Sequence, residues 1–158
     1  PIAMHCAAPD EGNMNLLAKV ASPAQNERWL APLVRGDIRS CFCMTEPMGA
    51  GADPNQLRTT ATLEGDHYVV KGRKWLITGA DTADFGIVMA KTLDGNSNKD
   101  LGATMFLVDM KAPGVQRVRT LDTMDSSFIG GHSELVFSAV KVARDAVLGE
   151  EGQGFRLI

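Results

Sequence analysis

Cys41-Phe-Cys-Met-Thr-Glu-Pro47 and, further along, Lys74-Trp-Leu-Ile-Thr78 are the two stretches that decide how this chain is read. Each is a short β-rich run that ends on a hydroxyl residue, Thr45 or Thr78. Set side by side, two such strand ends present two hydroxyls and several backbone amides toward one flat polar ligand. Taken singly, each has a plainer reading. The first is a strand running into a simple turn, and the second is a core strand whose Thr is solvated. The functional reading rests on the two being neighbours.

Outward from these runs, the chain after Gly36 is a series of short strands with turn punctuation. Ile38 to Thr45 is β-rich, and Leu57, Thr59, Ala61 and Leu63 alternate with polar or small residues. Glu64-Gly-Asp-His67 reads as a turn, with Tyr68-Val-Val70 a strand after it. Lys71-Gly-Arg-Lys74 reads as a second turn, a solvated hairpin end before Trp75 to Thr78. Phe85 to Lys91, Ala103 to Met110, Gly114 to Arg119 and Glu134 to Val142 complete the set. Strands at this spacing without helices between them predict an antiparallel β-barrel or sandwich.

Upstream the pattern is helical. Asp10 can cap a short helix over Glu11 to Val20, with Met14, Leu16 and Leu17 on its apolar side. Ser22-Pro-Ala-Gln25 is a stronger start signal: Ser22 as cap, Pro23 at the first helical position and Gln25 completing a capping box. Trp29, Leu30, Leu33 and Val34 follow at helical spacing, and Gly36 is the expected stop. At the other end, Phe155-Arg-Leu-Ile158 begins an apolar segment after the loop Gly149 to Gly154, and reads as the first turn of a truncated helix. The fold class is therefore mainly β, with an N-terminal helical segment. The expected division is residues 1–36 as the end of a helical domain, 37–152 as the β-domain, and 153–158 as the start of another helical domain.

Composition narrows the function classes. The chain has 158 residues, 44% of them hydrophobic and 22% charged, which suits a globular domain with a real core. A net charge of −3 gives no reason to expect nucleic acid or a membrane surface. No apolar run approaches the roughly 18 residues of a membrane-spanning helix. The start lacks a basic region, an apolar signal core and an initiator Met, so the chain reads as cut from something longer. Cys6, Cys41 and Cys43 are expected to be free thiols, the last two sharing one strand face, because no CxxC or adjacent His completes a zinc set. His5, His67 and His132 are scattered.

Three tempting motifs fail on context. Gly49 and Gly51 follow a strand, but the third glycine of a dinucleotide fingerprint is absent and Pro54 with Thr-rich β sequence follows instead of a helix. His132-Ser-Glu134 is not a catalytic relay, since adjacent strand residues face alternate sides. The methionines, eight in number, are spread over the strands and fill the core.

In order and spacing, several motifs resemble those of the acyl-CoA dehydrogenase family: Thr45-Glu46-Pro47 after a strand; the run Gly65-Asp-His-Tyr-Val-Val-Lys-Gly-Arg-Lys74; Trp75 to Thr78; and Glu134 to Phe155 with its closing Leu-Gly-Glu-Glu-Gly-Gln-Gly-Phe. Cys6 to Met14 and Arg39 to Pro47 look more like one branch, which includes members whose dehydrogenase follows a kinase-like domain. The resemblance implies a three-part enzyme of which this chain would supply the end of the first part, all of the middle β-domain and the first turn of the third. It implies FAD between the middle and C-terminal domains. By position, Phe42, Met44 and Thr45 would line the flavin's pyrimidine side. Leu76, Ile77 and Thr78 would lie near N5 and the ring face. The loop Met48 to Ala52, with Gly51 and Ala52, would approach the flavin phosphates, and Ala52 the acyl-CoA.

The implied reaction is α,β-dehydrogenation of an acyl-CoA thioester, with an electron-accepting flavoprotein downstream and a homo-oligomeric parent in the cytoplasm, or in an organelle matrix in a eukaryote. The base would be a carboxylate outside this chain, and Glu46 a structural residue. The piece alone is expected to be inactive. Two departures from the resembled pattern stand out. Gly51-Ala52 replaces a Ser-Ser pair, which removes hydroxyl contacts, and Leu76 replaces an aromatic ring, which weakens stacking. A flavin oxidase or monooxygenase on the same scaffold, or a non-catalytic β-barrel binding module, are the alternative readings.

Overall fold

The computed structural model describes residues 8–48, 53, 56–124 and 131–157. Two helical stretches precede the sheet. α1 spans Asp10–Val20. α2 (Pro23–Gln25) continues through a π-helical turn at Asn26–Leu30 into α3 (Ala31–Arg35). This second stretch begins as its sequence predicts. Gln25 N donates to Ser22 Oγ, and Ser22 N donates back to the Gln25 side chain, with Pro23 in the first turn. Gly36 ends it in the left-handed conformation at φ 79°.

The start of α1 departs from expectation. Pro9 occupies the cap position, with no side-chain bond to the helix. The buried Asp10 carboxylate accepts instead from Ser40 N (2.8 Å) and Ser40 Oγ (2.6 Å), and Arg39 lies 2.8 Å from it. A buried carboxylate needs several donors, and the start of the first strand supplies more of them than the helix's own first turn. The outcome is a tie between α1 and the sheet.

The strands are β1 (Ser40–Cys43), β2 (Thr60–Glu64), β3 (His67–Thr78), β4 (Phe85–Leu93), β5 (Asp100–Asp109), β6 (Val115–Thr120), β7 (His132–Ala143) and β8 (Val147–Leu148). They form one sheet in the order β6-β7-β3-β2-β4-β5-β8, with β1 also paired to β4. The architecture is mainly β, as expected, and the sheet stays open. Two of its pairings are parallel: β1 and β2 lie along successive stretches of the same β4, with Cys43 opposite Val88 and Thr60 opposite Lys91. The long segment between β1 and β2 makes this possible, because it returns the chain to β4 in the same direction.

β4 and β5 are buried on both faces, which explains the unbroken run Phe85-Gly-Ile-Val-Met-Ala90. On one side Val88, Ala90, Phe106 and Val108 meet Val70, Ile77, Leu135 and Phe137 from the curled-over β3 and β7. On the other, Phe85, Ile87, Met89 and Leu107 meet Leu17 of α1 and Leu33 of α3, with the Trp29 ring 4.8 Å from that of Phe85. Cys41 and Cys43 are free, buried and share a face, their sulfurs 3.6 Å apart. Among the described residues no group of His, Cys, Asp and Glu could hold a metal, and no helix is long and apolar enough to cross a membrane. A 3₁₀ turn at Gly154–Arg156 stands where the closing helix was expected to begin.

The second expected turn does not exist. Lys71 to Lys74 lie inside β3, which runs unbroken from His67 to Thr78. Its glycine serves a close approach: a Cβ on Gly72 would sit 2.4 Å from Thr59 Oγ1 and 2.7 Å from Thr59 Cα. Backbone contacts of that kind cannot be relieved by rotating a side chain. Gly72→Ala is therefore expected to destabilise the protein by about 1–3 kcal/mol, the usual penalty of overpacking. Urea unfolding of the full-length variant measures it, and an unchanged midpoint would contradict the close approach.

Candidate functional site

The ends of β1 and β3 meet. Trp75 N donates to Thr45 O at 3.1 Å, and Thr45 Oγ1 donates to Trp75 O at 2.5 Å. These bonds join the two runs singled out in the sequence. They also settle the Thr45 hydroxyl hydrogen on a backbone carbonyl, so Thr45 faces outward with acceptor lone pairs.

Beyond Lys74 the pairing of β3 with β7 slips. Lys74 stands opposite Leu135 and Ile77 opposite Ser133, so three steps on β3 match two on β7. A bulge of this kind re-aims one side chain. Here Leu76 takes φ +54° and is 48% exposed, although strict alternation would put it on the core side with Lys74. A left-handed Leu is strained by roughly 1–2 kcal/mol, and such outliers gather at functional sites. Ile77 returns to the core and is buried. Only the backbone of residue 77 is therefore available on the outer side, where Thr78 re-emerges half-buried.

The result is a cavity of about 300 Å³ lined by Phe42, Met44, Thr45, Leu76 and Thr78, together with Ala8 and Pro9. Five of the residues singled out in the sequence come together in it. Gly51 and Ala52 lie outside the described residues, and Met48, just before them, is exposed. Ala8 and Pro9 carry no signal that sequence reading could have used.

A buried ion pair adjoins the cavity wall through Met44. Lys74, expected at a solvated hairpin end, is fully buried. Its Nζ donates to Glu46 Oε1 (2.8 Å) and to Met44 O (2.9 Å). Glu46 also accepts from Arg58 N (2.7 Å) and Thr59 N (3.0 Å). Burial pushes the Glu46 carboxyl up, but the Lys74 ammonium and the amide donors outweigh it and hold the group below the usual carboxylate range. At Lys74 burial dominates and pulls the ammonium down, with Glu46 opposing. Every described polar contact of Glu46 is thus directed inward, which fits a structural role.

His132, one of three histidines scattered along the sequence, also belongs to this neighbourhood. The antiparallel register sets it opposite Thr78, and its Nδ1 lies 3.0 Å from Thr78 Oγ1. Only strand pairing carries that signal. Its neighbours diverge, as alternation requires: Ser133 Oγ donates to Asp81, and Glu134 pairs with Arg73 (3.0 Å) and Arg119 (2.7 Å).

The profile of the acyl-CoA dehydrogenase middle domain matches residues 41–140. The chain belongs to the acyl-CoA dehydrogenase family. It is 39% identical to acyl-CoA dehydrogenase family member 11 of Pongo abelii, over 99% of this chain and 21% of that protein. It is similar to butyryl-CoA dehydrogenase from Megasphaera elsdenii, with TM-score 0.85 and 35% identity over 98% of this chain and 40% of the other. It is also similar to a glutaryl-CoA dehydrogenase from Mycobacterium smegmatis solved in complex with FADH2, with TM-score 0.76 and 30% identity over 92% of this chain and 35% of the other. The chain thus spans between about a fifth and two fifths of the length of these acyl-CoA dehydrogenase relatives.

Proposed function

We propose that this chain is the flavin- and substrate-facing β-domain of an enzyme that dehydrogenates an acyl-CoA thioester between Cα and Cβ. The observation that carries the reading is the cavity where Phe42, Met44 and Leu76 form an apolar wall and Thr45 and Thr78 a polar edge. That donor set fits FAD. A flat, largely apolar ring system with hydrogen-bonding atoms along one edge needs this combination of wall and rim. Phe42, Met44 and Leu76 would hold the ring face. Thr45 would accept from a ring N–H, and Thr78 would meet the ring's central nitrogen. When bound, FAD would supply the electron acceptor for the dehydrogenation.

The chain's own residues contribute placement. Phe42 and Leu76 exclude water from one side of the cavity. Thr45, locked to Trp75, gives an acceptor at a fixed point, and the strained backbone at Leu76 holds the wall open. Gly51 and Ala52 are proposed to approach the cofactor phosphates, and Ala52 the acyl-CoA. The division at residues 36 and 152 is likewise proposed, with the base, the rest of the FAD site and the oligomer interface in regions of the parent beyond this chain. The acceptor of its electrons is proposed to be a second flavoprotein.

An FAD titration followed by flavin fluorescence tests this, run on the full-length protein and on this chain alone. Tight binding by the former and weak or absent binding by the latter is the expected outcome of a divided site. No binding by either would remove the flavin reading and favour a β-domain binding module.

A further inference from the structure

We propose that His132 is a positioning residue for the cofactor, acting through Thr78: its Nδ1–H donates to Thr78 Oγ1 and so turns the Thr78 hydroxyl hydrogen into the cavity. This rests on the flavin reading above. The two atoms are 3.0 Å apart, on paired strands that fix their registry. A hydroxyl has one hydrogen and shares it with one acceptor at a time. Thr45 has already given its hydrogen to Trp75 O. Among the described residues of the cavity wall, Thr78 is then the side chain that can donate to a ligand. His132 holds it in that donating orientation by supplying the hydrogen on its other side. If Nδ1 were the acceptor, Thr78 would turn away and both hydroxyls would face the cavity as acceptors. The His132–Thr78 pair thus gives the rim one donor beside the acceptor at Thr45. That pattern matches the edge of an oxidised flavin, where a ring N–H and an unprotonated ring nitrogen are both present.

The test uses the full-length protein and two readouts that need no turnover: the dissociation constant for oxidised FAD and the position of the bound flavin's absorbance bands. His132→Asn keeps an amide donor near the Nδ1 position. His132→Asp offers only acceptors, and would draw the Thr78 hydrogen out of the cavity. The Asn variant is expected to bind FAD like the wild type. The Asp variant is expected to bind about fivefold more weakly, the worth of one hydrogen bond, with a displaced flavin spectrum. Repeating both in a Thr78→Val background separates this effect from the added charge. There the hydroxyl is gone, so the Asp penalty is expected to lose its hydrogen-bond part and shrink to whatever the added charge alone costs.

Equal weakening by Asn and Asp, or an Asp penalty unchanged by Thr78→Val, would overturn the role of His132 while leaving the flavin site standing. A wild-type protein that takes up no FAD would overturn the flavin reading itself, and this inference with it. Should the Asp variant not fold, the Asn variant and His132→Phe carry the same decision. His132→Phe is then expected to displace the spectrum beside Thr78 but not beside the Thr78→Val substitution, and an equal displacement in both backgrounds would overturn the inference.

Discussion

Glu46→Ala is expected to remove about 3–5 kcal/mol of stability, the penalty of leaving a buried charge without its partner. Lys74 is fully buried, and its Nζ would keep only the Met44 carbonyl. The amides of Arg58 and Thr59 would lose their acceptor at the same time. Urea unfolding of the full-length protein reads the loss, and a change below about 1 kcal/mol would contradict a buried, mutually dependent pair. A Glu46→Gln, Lys74→Met double variant should recover much of it, because replacing both charges by well-packed neutral groups is often close to neutral. The pH dependence has a definite sign. The folded-state pKa of Glu46 is lowered. Its stabilising contribution is therefore fully present above the ordinary carboxylate pKa and is lost as pH falls through the depressed folded value.

On the proposed flavin reading, Thr78→Val is expected to lower turnover of the full-length protein by about tenfold or more and to shift the flavin absorbance bands. A hydrogen bond to a group that gains charge is worth roughly 1.5–3 kcal/mol, and Val keeps the shape of Thr while removing the hydroxyl. Thr78 is half-buried on the outer side of β3 and paired to His132 rather than to the core, so the loss should fall on the ligand more than on the fold. Unchanged kinetics together with an unchanged spectrum would take Thr78 out of the site.

The sequence carried the local part of this architecture. Ser22-Pro-Ala-Gln25 encodes its own helix start, and Gly36 its own stop, because both act within one turn of chain. The strand runs were legible for the same reason, and so was the shared face of Cys41 and Cys43. The long-range pairings were hidden. Lys71 to Lys74 has a turn's composition, and only the approach of Thr59 to Gly72 and of Glu46 to Lys74 makes it a buried strand. Asp10 looked like a cap because nothing nearby reveals Ser40 as the better partner. At the site, Thr45 and Thr78 were found as strand ends. His132 was not, since its part depends on the register of β3 against β7. The exposure of Leu76 depends on a bulge that apolar alternation cannot announce.

That bulge divides labour between adjacent positions. Ile77 answers to the interior and Leu76 to whatever occupies the cavity, so the two demands never fall on the same side chain. Residue 76 can then change size or polarity without opening a void in the core, and the shape of the wall can drift while the melting temperature holds. The backbone sets the limits of that freedom. At φ +54° a β-branched Val, Ile or Thr is heavily disfavoured, whereas Gly, Asn and unbranched chains are admitted. The exposed side chain of this bulge is thus free to vary, and its permitted values are written in a torsion angle.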